Sequence, residues 1–186
     1  EQNFHAKKRN RKWCTDFTYL TLADGRKRYN CTIIDLYDRS VIAGITDRNI
    51  TSDLAKRTLE KAIRSQSGID LKQLILHSDQ GSQYTSREFT EFCIEKGITQ
   101  NMSKAGYPYD DAPMERYFNT LKTELIYQHN YRTETELHFV TLWGCKIHAI
   151  EEFAYVHYNH VRPHSYNNYK TPFEARYGRY KPDTKI

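Results

Sequence analysis

Near its start the chain reads Trp13-Cys14-Thr15-Asp16-Phe17-Thr18-Tyr19, an alternating run rich in aromatic and β-branched residues. This pattern predicts a β-strand over residues 13–22. Asp24-Gly25 then gives a hairpin turn signal, and residues 27–36 and 40–47 have the composition of two further strands. We therefore expect the chain to open with a three-stranded antiparallel sheet.

Helices and strands alternate in the next part of the chain. Thr51-Ser52-Asp53 offers an N-cap for a helix that ends near Gly68. The later elements expected are a buried parallel strand over 73–78, a helix from Ser86 to about Lys96 stopped by Gly97, and a fifth strand over 98–102. This order predicts an α/β fold, with a five-stranded mixed sheet flanked by helices on both faces.

The helix that follows the loop at 103–111 has two distinct faces. Its apolar residues recur at helical spacing and predict a core stripe, which comprises Met114, Phe118, Leu121 and Leu125. Glu115, Asn119 and Lys122 share a neighbouring face. One face therefore anchors the helix, while the other presents a carboxylate, an amide and an ammonium together. In isolation, the second face is equally consistent with an ordinary solvated surface.

A second long helix is expected from the capping box Thr133-Glu134-Thr135-Glu136 to about His160, with Arg162-Pro163 as its stop. Thr171-Pro172 predicts a last short helix. The domain organisation expected is a basic N-terminal arm over 1–12, a core over 13–160 and a C-terminal extension over 161–186.

Three acidic residues stand at positions that give their side chains a defined place. Asp16 lies within the first strand, Asp79 directly follows the run Leu74-Ile75-Leu76-His77-Ser78, and Glu115 lies near the start of its helix. Thirty-five residues separate Asp79 from Glu115. Mg²⁺ is usually held by a few carboxylates together with water and substrate phosphate oxygens, and paired ions clamp the attacking and leaving oxygens of a phosphodiester. These residues are therefore candidate metal ligands.

Several motifs run along the chain in an order that resembles one protein family. They are Trp13–Tyr19, Ile34–Ser40, His77–Tyr84, Gly106–Ala112, Leu121–Glu124 and Tyr158–His164. Together they resemble the catalytic core of bacterial insertion-sequence transposases, which belong to the retroviral-integrase superfamily with its acidic triad and ribonuclease-H-like fold. A single Asp-x35-Glu spacing arises easily by chance, whereas the ordered set is specific.

The resemblance implies roles for individual residues. Asp16, Asp79 and Glu115 match the acidic triad that holds two Mg²⁺ or Mn²⁺ ions, and Lys122 matches a lysine that contacts the terminal DNA of the element. Asp110 matches the acidic half of a common Asp-Asn pair. Asp111 stands where Asn is usual in the family, and Arg116 stands where a small residue is more usual. These two departures put the reaction rate and the choice of DNA in doubt.

The implied reactions are metal-dependent cleavage at the 3′ ends of the element and strand transfer into target DNA. Double-stranded DNA is then the partner, and self-association in an active complex is expected. Two other functions stay open: a metal nuclease of the same fold that cuts without joining, and a non-catalytic DNA-binding remnant of a transposase.

Composition is compatible with this class of protein. The 186 residues carry a net charge of +5, which by itself indicates little more than solubility. A local cluster of charge is more informative than the net charge, and it is the run Lys7-Lys8-Arg9-Asn10-Arg11-Lys12. Its five cations, Lys7, Lys8, Arg9, Arg11 and Lys12, could contact phosphates. No apolar run reaches membrane length, and a cytoplasmic location in a bacterium is expected. The four cysteines are far apart and are expected to be buried thiols.

Other chemistries have weaker support. His77 and Ser78 are neighbours, but Ser78 lacks the G-x-S-x-G elbow of a serine hydrolase. His157, His160 and His164 have no fourth zinc ligand at motif spacing. Among the fifteen tyrosines, Tyr84, Tyr107 and Tyr109 are the candidates for stacking on DNA bases.

Overall fold

A five-stranded mixed sheet forms the centre of the protein, with the strand order β3-β2-β1-β4-β5. The computed structural model describes residues 6–103, 112–129, 131, 140–142, 145–147 and 149–178. The strands of the central sheet are β1 (Lys12–Thr21), β2 (Lys27–Asp35), β3 (Val41–Asp47), β4 (Ile75–Ser78) and β5 (Thr99–Met102). β1, β2 and β3 pair antiparallel, whereas β4 runs parallel to both β1 and β5. The predicted mixed sheet is confirmed.

Helices cover both faces of this sheet, as predicted. They are α1 (Ser52–Ser65), α2 (Ser82–Thr85), α3 (Arg87–Lys96), α4 (Ala112–Leu121), α5 (Ala149–Glu152) and α6 (Pro172–Tyr177). Wider π-helical turns extend α4 over Lys122–Ile126 and α5 over Phe153–Val161. The caps follow the sequence signals: Thr51 accepts a hydrogen bond from the Leu54 amide, and Gly97 ends α3 with a φ of 73°.

The alternation of β1 divides the core into two halves. Trp13 packs with residues of α1 and α3 on one face, while Cys14 and Leu20 pack with α4 and with α5 and its extension on the other. The predicted stripe of α4, comprising Met114, Phe118, Leu121 and Leu125, is buried in this second half. Cys14, Cys31 and Cys93 are buried thiols, as expected.

The prediction of one continuous helix from Thr133 to about His160 is wrong in its middle. Two short antiparallel strands, β6 (Val140–Leu142) and β7 (Cys145–Ile147), lie there instead, and the helix begins only at Ala149. The β-branched residues Val140 and Thr141 favour extended backbone, and Gly144 between the two strands is a poor helix former. The predicted capping box at 133–136 falls outside the described residues.

A buried ionic cluster joins α6 to the end of β2. Arg176 donates to Asp35 at 3.0 Å and to Asp38 at 2.6 Å, and neither carboxylate is exposed. Arg176 also donates to the side chain of Asn10 at 2.9 Å. Burial above all, and then the charge of Asp38, raises the pKa of Asp35 to about 6. Asp38 also accepts from the Ser40 amide in the turn between β2 and β3, so both carboxylates hold structure rather than face the candidate site.

Within the described ranges, no helix combines the length and apolarity needed to cross a membrane.

Candidate active site

The register between two parallel strands brings Asp16 and Asp79 to the same end of the β1–β4 pair. Cys14 pairs with His77 in the β1–β4 ladder, and Asp16 and Asp79 each follow two residues later. Residues paired across neighbouring strands are about 5 Å apart and point to the same face. Asp79 directly follows the last residue of β4, where α/β sheets commonly place ligands. β1, which carries Asp16, and β4, which leads into Asp79, are neighbours in the sheet.

Asp16 belongs to the face of the sheet that α4 covers. It has the same strand parity as Cys14 and Leu20, which pack with α4 in one core half. The side chain is partly buried, and its Oδ1 accepts a hydrogen bond from the Phe17 amide at 2.7 Å. This bond limits the orientation of the carboxylate and helps to offset the cost of placing an acid in a central strand.

The turn after β4 holds Asp79 through Gly81. The Gly81 amide donates to Asp79 Oδ1 at 2.9 Å. A Cβ on residue 81 would lie 2.9 Å from the same oxygen and 3.1 Å from Gln83 Oε1. Since real Cβ contacts are not that short, glycine is needed for the carboxylate to keep this position.

Tyr84 anchors this turn to β1, a contact that sequence reasoning missed. Its hydroxyl lies 3.1 Å from Thr15 Oγ1, and its ring stacks at a tilt on Phe17 at 5.3 Å. These two residues flank Asp16, so one side chain links the turn of Asp79 to the strand of Asp16. Burial, followed by Cys31 and Asp16, raises the pKa of Tyr84 well above 10, and the phenol stays protonated. Only 1% of Tyr84 is exposed. The prediction that Tyr84 stacks on DNA bases is therefore wrong.

Glu115 is exposed in the first turn of α4. Its neighbour Met114 is fully buried, as are Tyr117 and Leu121, and these contacts fix the axis of the helix against β1. Asn119, one turn further along, is also exposed. The helix therefore presents this polar face away from its core contacts, as the periodicity predicted.

Lys122 lies half-buried at the junction between α4 and its π-helical extension. Its ammonium is 4.6 Å from the centroid of the Tyr19 ring in β1, a cation–π distance. More than half of Tyr19 is exposed. A cation and an aromatic ring thus lie together three residues along β1 from Asp16.

The basic run splits into two parts. Lys7, Lys8 and Arg9 are exposed, whereas Arg11 contacts Gln73. Lys12 is the first residue of β1. Four residues of strand, roughly 13 Å, separate Lys12 from Asp16, which places these cations near the opposite end of the β1–β4 pair.

The donor chemistry of the aligned carboxylates fits Mg²⁺ or Mn²⁺, since both prefer hard oxygen ligands. Asp16 and Asp79 would hold such an ion. However, the described residues contain no cluster of three or more acidic, histidine or cysteine ligands, so Glu115 is not gathered with the two aspartates into one ligand set.

The other chemistries considered have structural explanations. Ser78 is buried and donates to the carbonyl of Asp79 at 3.0 Å. The three C-terminal histidines have separate surroundings: His157 lies 3.4 Å from Glu124, His160 stacks on Phe173, and His164 lies 3.3 Å from the carbonyl of Tyr158.

The five-stranded mixed sheet with helices on both faces defines a class, the proteins with a ribonuclease-H-like fold. The profile of the integrase core domain matches residues 6–108, and a second profile of the same description matches residues 96–172. The chain therefore belongs to the integrase core domain family, in its insertion-sequence transposase branch.

Two curated relatives illustrate this similarity. The chain is 32% identical over 175 residues to the transposase of insertion sequence element IS904 from Lactococcus lactis, covering 92% of this chain and 63% of that protein. It is 34% identical over 137 residues to the putative transposase InsK of IS150 from Escherichia coli, covering 74% of this chain and 47% of that protein. The chain thus spans about half to two thirds of the length of these relatives.

Solved structures share the fold at low sequence identity. The chain superposes on a protein of the simian T-cell lymphotropic virus intasome with a TM-score of 0.73 and 20% identity, covering 98% of this chain and 58% of that one. It superposes on the HTLV-2 integrase catalytic core, solved in complex with magnesium in a dimeric form, with a TM-score of 0.62 and 18% identity, covering 92% and 99%.

Proposed function

We propose that the chain is the catalytic core of a transposase, which cleaves DNA at the 3′ ends of an insertion sequence and joins those ends to target DNA. The observation that carries the proposal is the alignment of Asp16 with Asp79 at the carboxyl end of β4. The curated relatives are transposases by name. In cleavage, water attacks phosphorus and the bond to the 3′ oxygen breaks. In joining, the freed 3′-OH attacks a target phosphorus and displaces a target 3′ oxygen.

The roles of the carboxylates follow from their positions. Asp16 and Asp79 are the two fixed ligands, since amides of β1 and of the turn after β4 orient them. Glu115 is the third ligand and completes the set when a divalent ion and DNA are bound. A bound Mg²⁺ or Mn²⁺ pair supplies Lewis-acid activation of the nucleophile and offsets charge on the leaving oxygen. Because these hydrogen bonds already order the two aspartates, less conformational entropy is lost when the ion binds.

Double-stranded DNA is the proposed partner, and its phosphates would contact polar and cationic side chains both beside the site and at the far end of β1. Lys122, Asn119 and the exposed part of the basic run are proposed phosphate contacts. Self-association is also part of the proposal, because the related viral proteins are found in an intasome and in a dimeric form. The bacterial origin of the relatives supports action on the chromosome in the cytoplasm.

Glu115→Gln tests the triad. The change keeps the size of the side chain and leaves the buried stripe of α4 intact, so the variant should fold normally. It removes a charge that a divalent ion needs, and cleavage and joining of a duplex with the element's ends should both be lost. Mn²⁺ should raise the melting temperature of the wild type more than that of the variant.

Glu95→Gln is the matched control, since it makes the same change at an exposed position of α3. It should leave joining and the response to Mn²⁺ unchanged. A folded Glu115→Gln protein with wild-type joining would refute the triad assignment. Wild-type cleavage without joined products would instead identify a nuclease, and a wild type that neither cuts nor responds to Mn²⁺ would identify a non-catalytic remnant.

A further inference from the structure

A basic cleft lies beside the first turn of α4, on the side where β2 turns into β3. Its volume is about 330 Å³. Three arginines line it: Arg39 from the turn between β2 and β3, Arg116 from α4, and Arg162 from the end of the extension of α5. Tyr158, His164 and Tyr166 supply much of the remaining wall. None of these residues belongs to the acidic site, although Arg116 directly follows Glu115 in the sequence.

Arg39 is the least explained of the three arginines. It adopts a φ of 62°, a left-handed conformation that is uncommon outside glycine. Its guanidinium lies 4.0 Å from the centroid of the Tyr166 ring. Nη1 is buried and has no hydrogen-bond partner. Burial above all lowers the pKa of this guanidinium, yet arginine stays charged in proteins.

Arg39 is partly buried as a residue, and its buried Nη1 favours a negative partner, because a desolvated donor without a partner is costly. Among the residues that the structure describes, no carboxylate lies within 4.0 Å of Arg39 or of Arg116, which is exposed. The nearby acid Glu124 already accepts from Arg162 at 2.9 Å. The cleft thus has positive charge in excess of its own acids.

His164 adds no charge to the cleft near pH 7. Burial first, and then the charge of Arg162, lowers its pKa to about 4, so the ring is neutral near pH 7. Its Nε2 lies 3.3 Å from the carbonyl oxygen of Tyr158, which requires the proton on that nitrogen.

We propose that this cleft binds one phosphate of the DNA backbone, with the partly buried Arg39 as its inner contact and Arg116 as its outer contact. Guanidinium groups match a phosphate through two parallel N–H donors, and the amides in the first turn of α4 add a favourable dipole. The commitment to DNA rests on the proposed function, since Arg116 places the bound phosphate next to Glu115. The phosphate would be a neighbour of the one that reacts, and its capture would orient the duplex across the site.

The experiment measures duplex affinity over a range of salt concentrations without divalent ions. Arg39→Gln and Arg116→Gln should each weaken binding. The double variant should lower the slope of log K against log salt by about 0.9, the value for one phosphate. Its loss of affinity should be smaller than the sum of the two single effects, because both side chains contact the same group. Arg64→Gln, which removes an exposed charge from α1, should leave the slope unchanged.

Inorganic phosphate alone provides a second measurement. It should raise the melting temperature of the wild type and have less effect on Arg39→Gln. Without anions, Arg39→Gln should melt at the same or a higher temperature than the wild type, since an unpaired buried charge is gone. Arg116 is exposed, so Arg116→Gln keeps the test valid if the first variant folds poorly.

An unchanged salt slope in the double variant overturns the proposal. Stabilisation by inorganic phosphate with an unchanged slope would also overturn it, because the cleft would then serve a small anion rather than DNA. These results are independent of the triad, since no metal or catalysis is involved. Failure of the Glu115→Gln experiment would therefore leave the binding result in place, and the reverse also holds.

Discussion

The substitution Gly81→Ala should displace the Asp79 carboxylate while leaving the stability of the fold nearly unchanged. The backbone at residue 81 has a φ of −54° and a ψ of 145°, which alanine adopts without strain. The obstacle is local, because the new Cβ would lie 2.9 Å from Asp79 Oδ1, whereas contacts become ordinary at 3.4 Å. The carboxylate must therefore move by at least 0.5 Å or rotate away.

The expected effect on stability is small. Replacing glycine by alanine at a compatible position stabilises by about 0.4–1 kcal/mol. Weakening the hydrogen bond from the residue 81 amide to Asp79 costs about 1 kcal/mol, so the net change lies within about 1 kcal/mol of zero. Catalysis is more sensitive, since a misplacement of about 1 Å costs on the order of 100-fold. We expect a loss of roughly tenfold or more in joining rate.

The assay pairs urea unfolding with metal-dependent joining and with melting in the presence of Mn²⁺. Gly44→Ala is the control, because its Cβ would make an ordinary contact of 3.5 Å with Thr32 Oγ1 in β2. That variant should keep wild-type activity. If Gly81→Ala joined DNA at the wild-type rate and responded equally to Mn²⁺, the position of the Asp79 carboxylate would not limit the reaction.

Two further predictions concern buried charge. Arg176→Gln leaves Asp35 and Asp38 without their cation and should cost about 3–5 kcal/mol at pH 7. The charge of Arg176 lowers the pKa of Asp35, which is about 6 in the wild type, so in the variant Asp35 takes up its proton at a higher pH. The loss in urea unfolding should therefore shrink as pH falls toward 6, and a loss under about 1 kcal/mol at pH 7 would contradict this. His164 has a pKa of about 4 in the folded protein and 6.5 when unfolded. Wild-type stability should therefore decrease as pH falls from 6.5 to 4, by about 2–3 kcal/mol from this residue, and His164→Gln should remove that slope; parallel pH curves would refute it.

The parts of the fold that follow from local periodicity could be predicted from the sequence. The alternation around Asp16 and the apolar stripe of α4 each determine which side chains are buried, whatever lies across from them. The run before Asp79 likewise predicted a buried parallel strand, and that strand pairs with β1. These elements carry the three acidic residues, so the candidate site emerged from the same patterns.

The parts that depend on distant partners could not be predicted. Arg176 meets Asp38 across 138 residues, and nothing local to either residue signals the pair. The contact of Tyr84 with Thr15 has the same character, since their positions differ by 69 in the sequence. The β6–β7 pair was misread as helix because Val140 and Ile147 also fit helical spacing, and periodicity alone does not distinguish the two states over so short a segment.

The matched spacing along β1 and β4 has a consequence for tolerated changes in chain length. Lys12 pairs with Ile75, and each strand then runs four residues to its aspartate. Deleting one residue from either interval would shift a carboxylate by about 3.3 Å and turn it to the opposite face. Insertions in the turn at Asp24-Gly25 change neither interval. Viable length variants of this chain should therefore differ in the hairpin turn and keep both four-residue intervals intact.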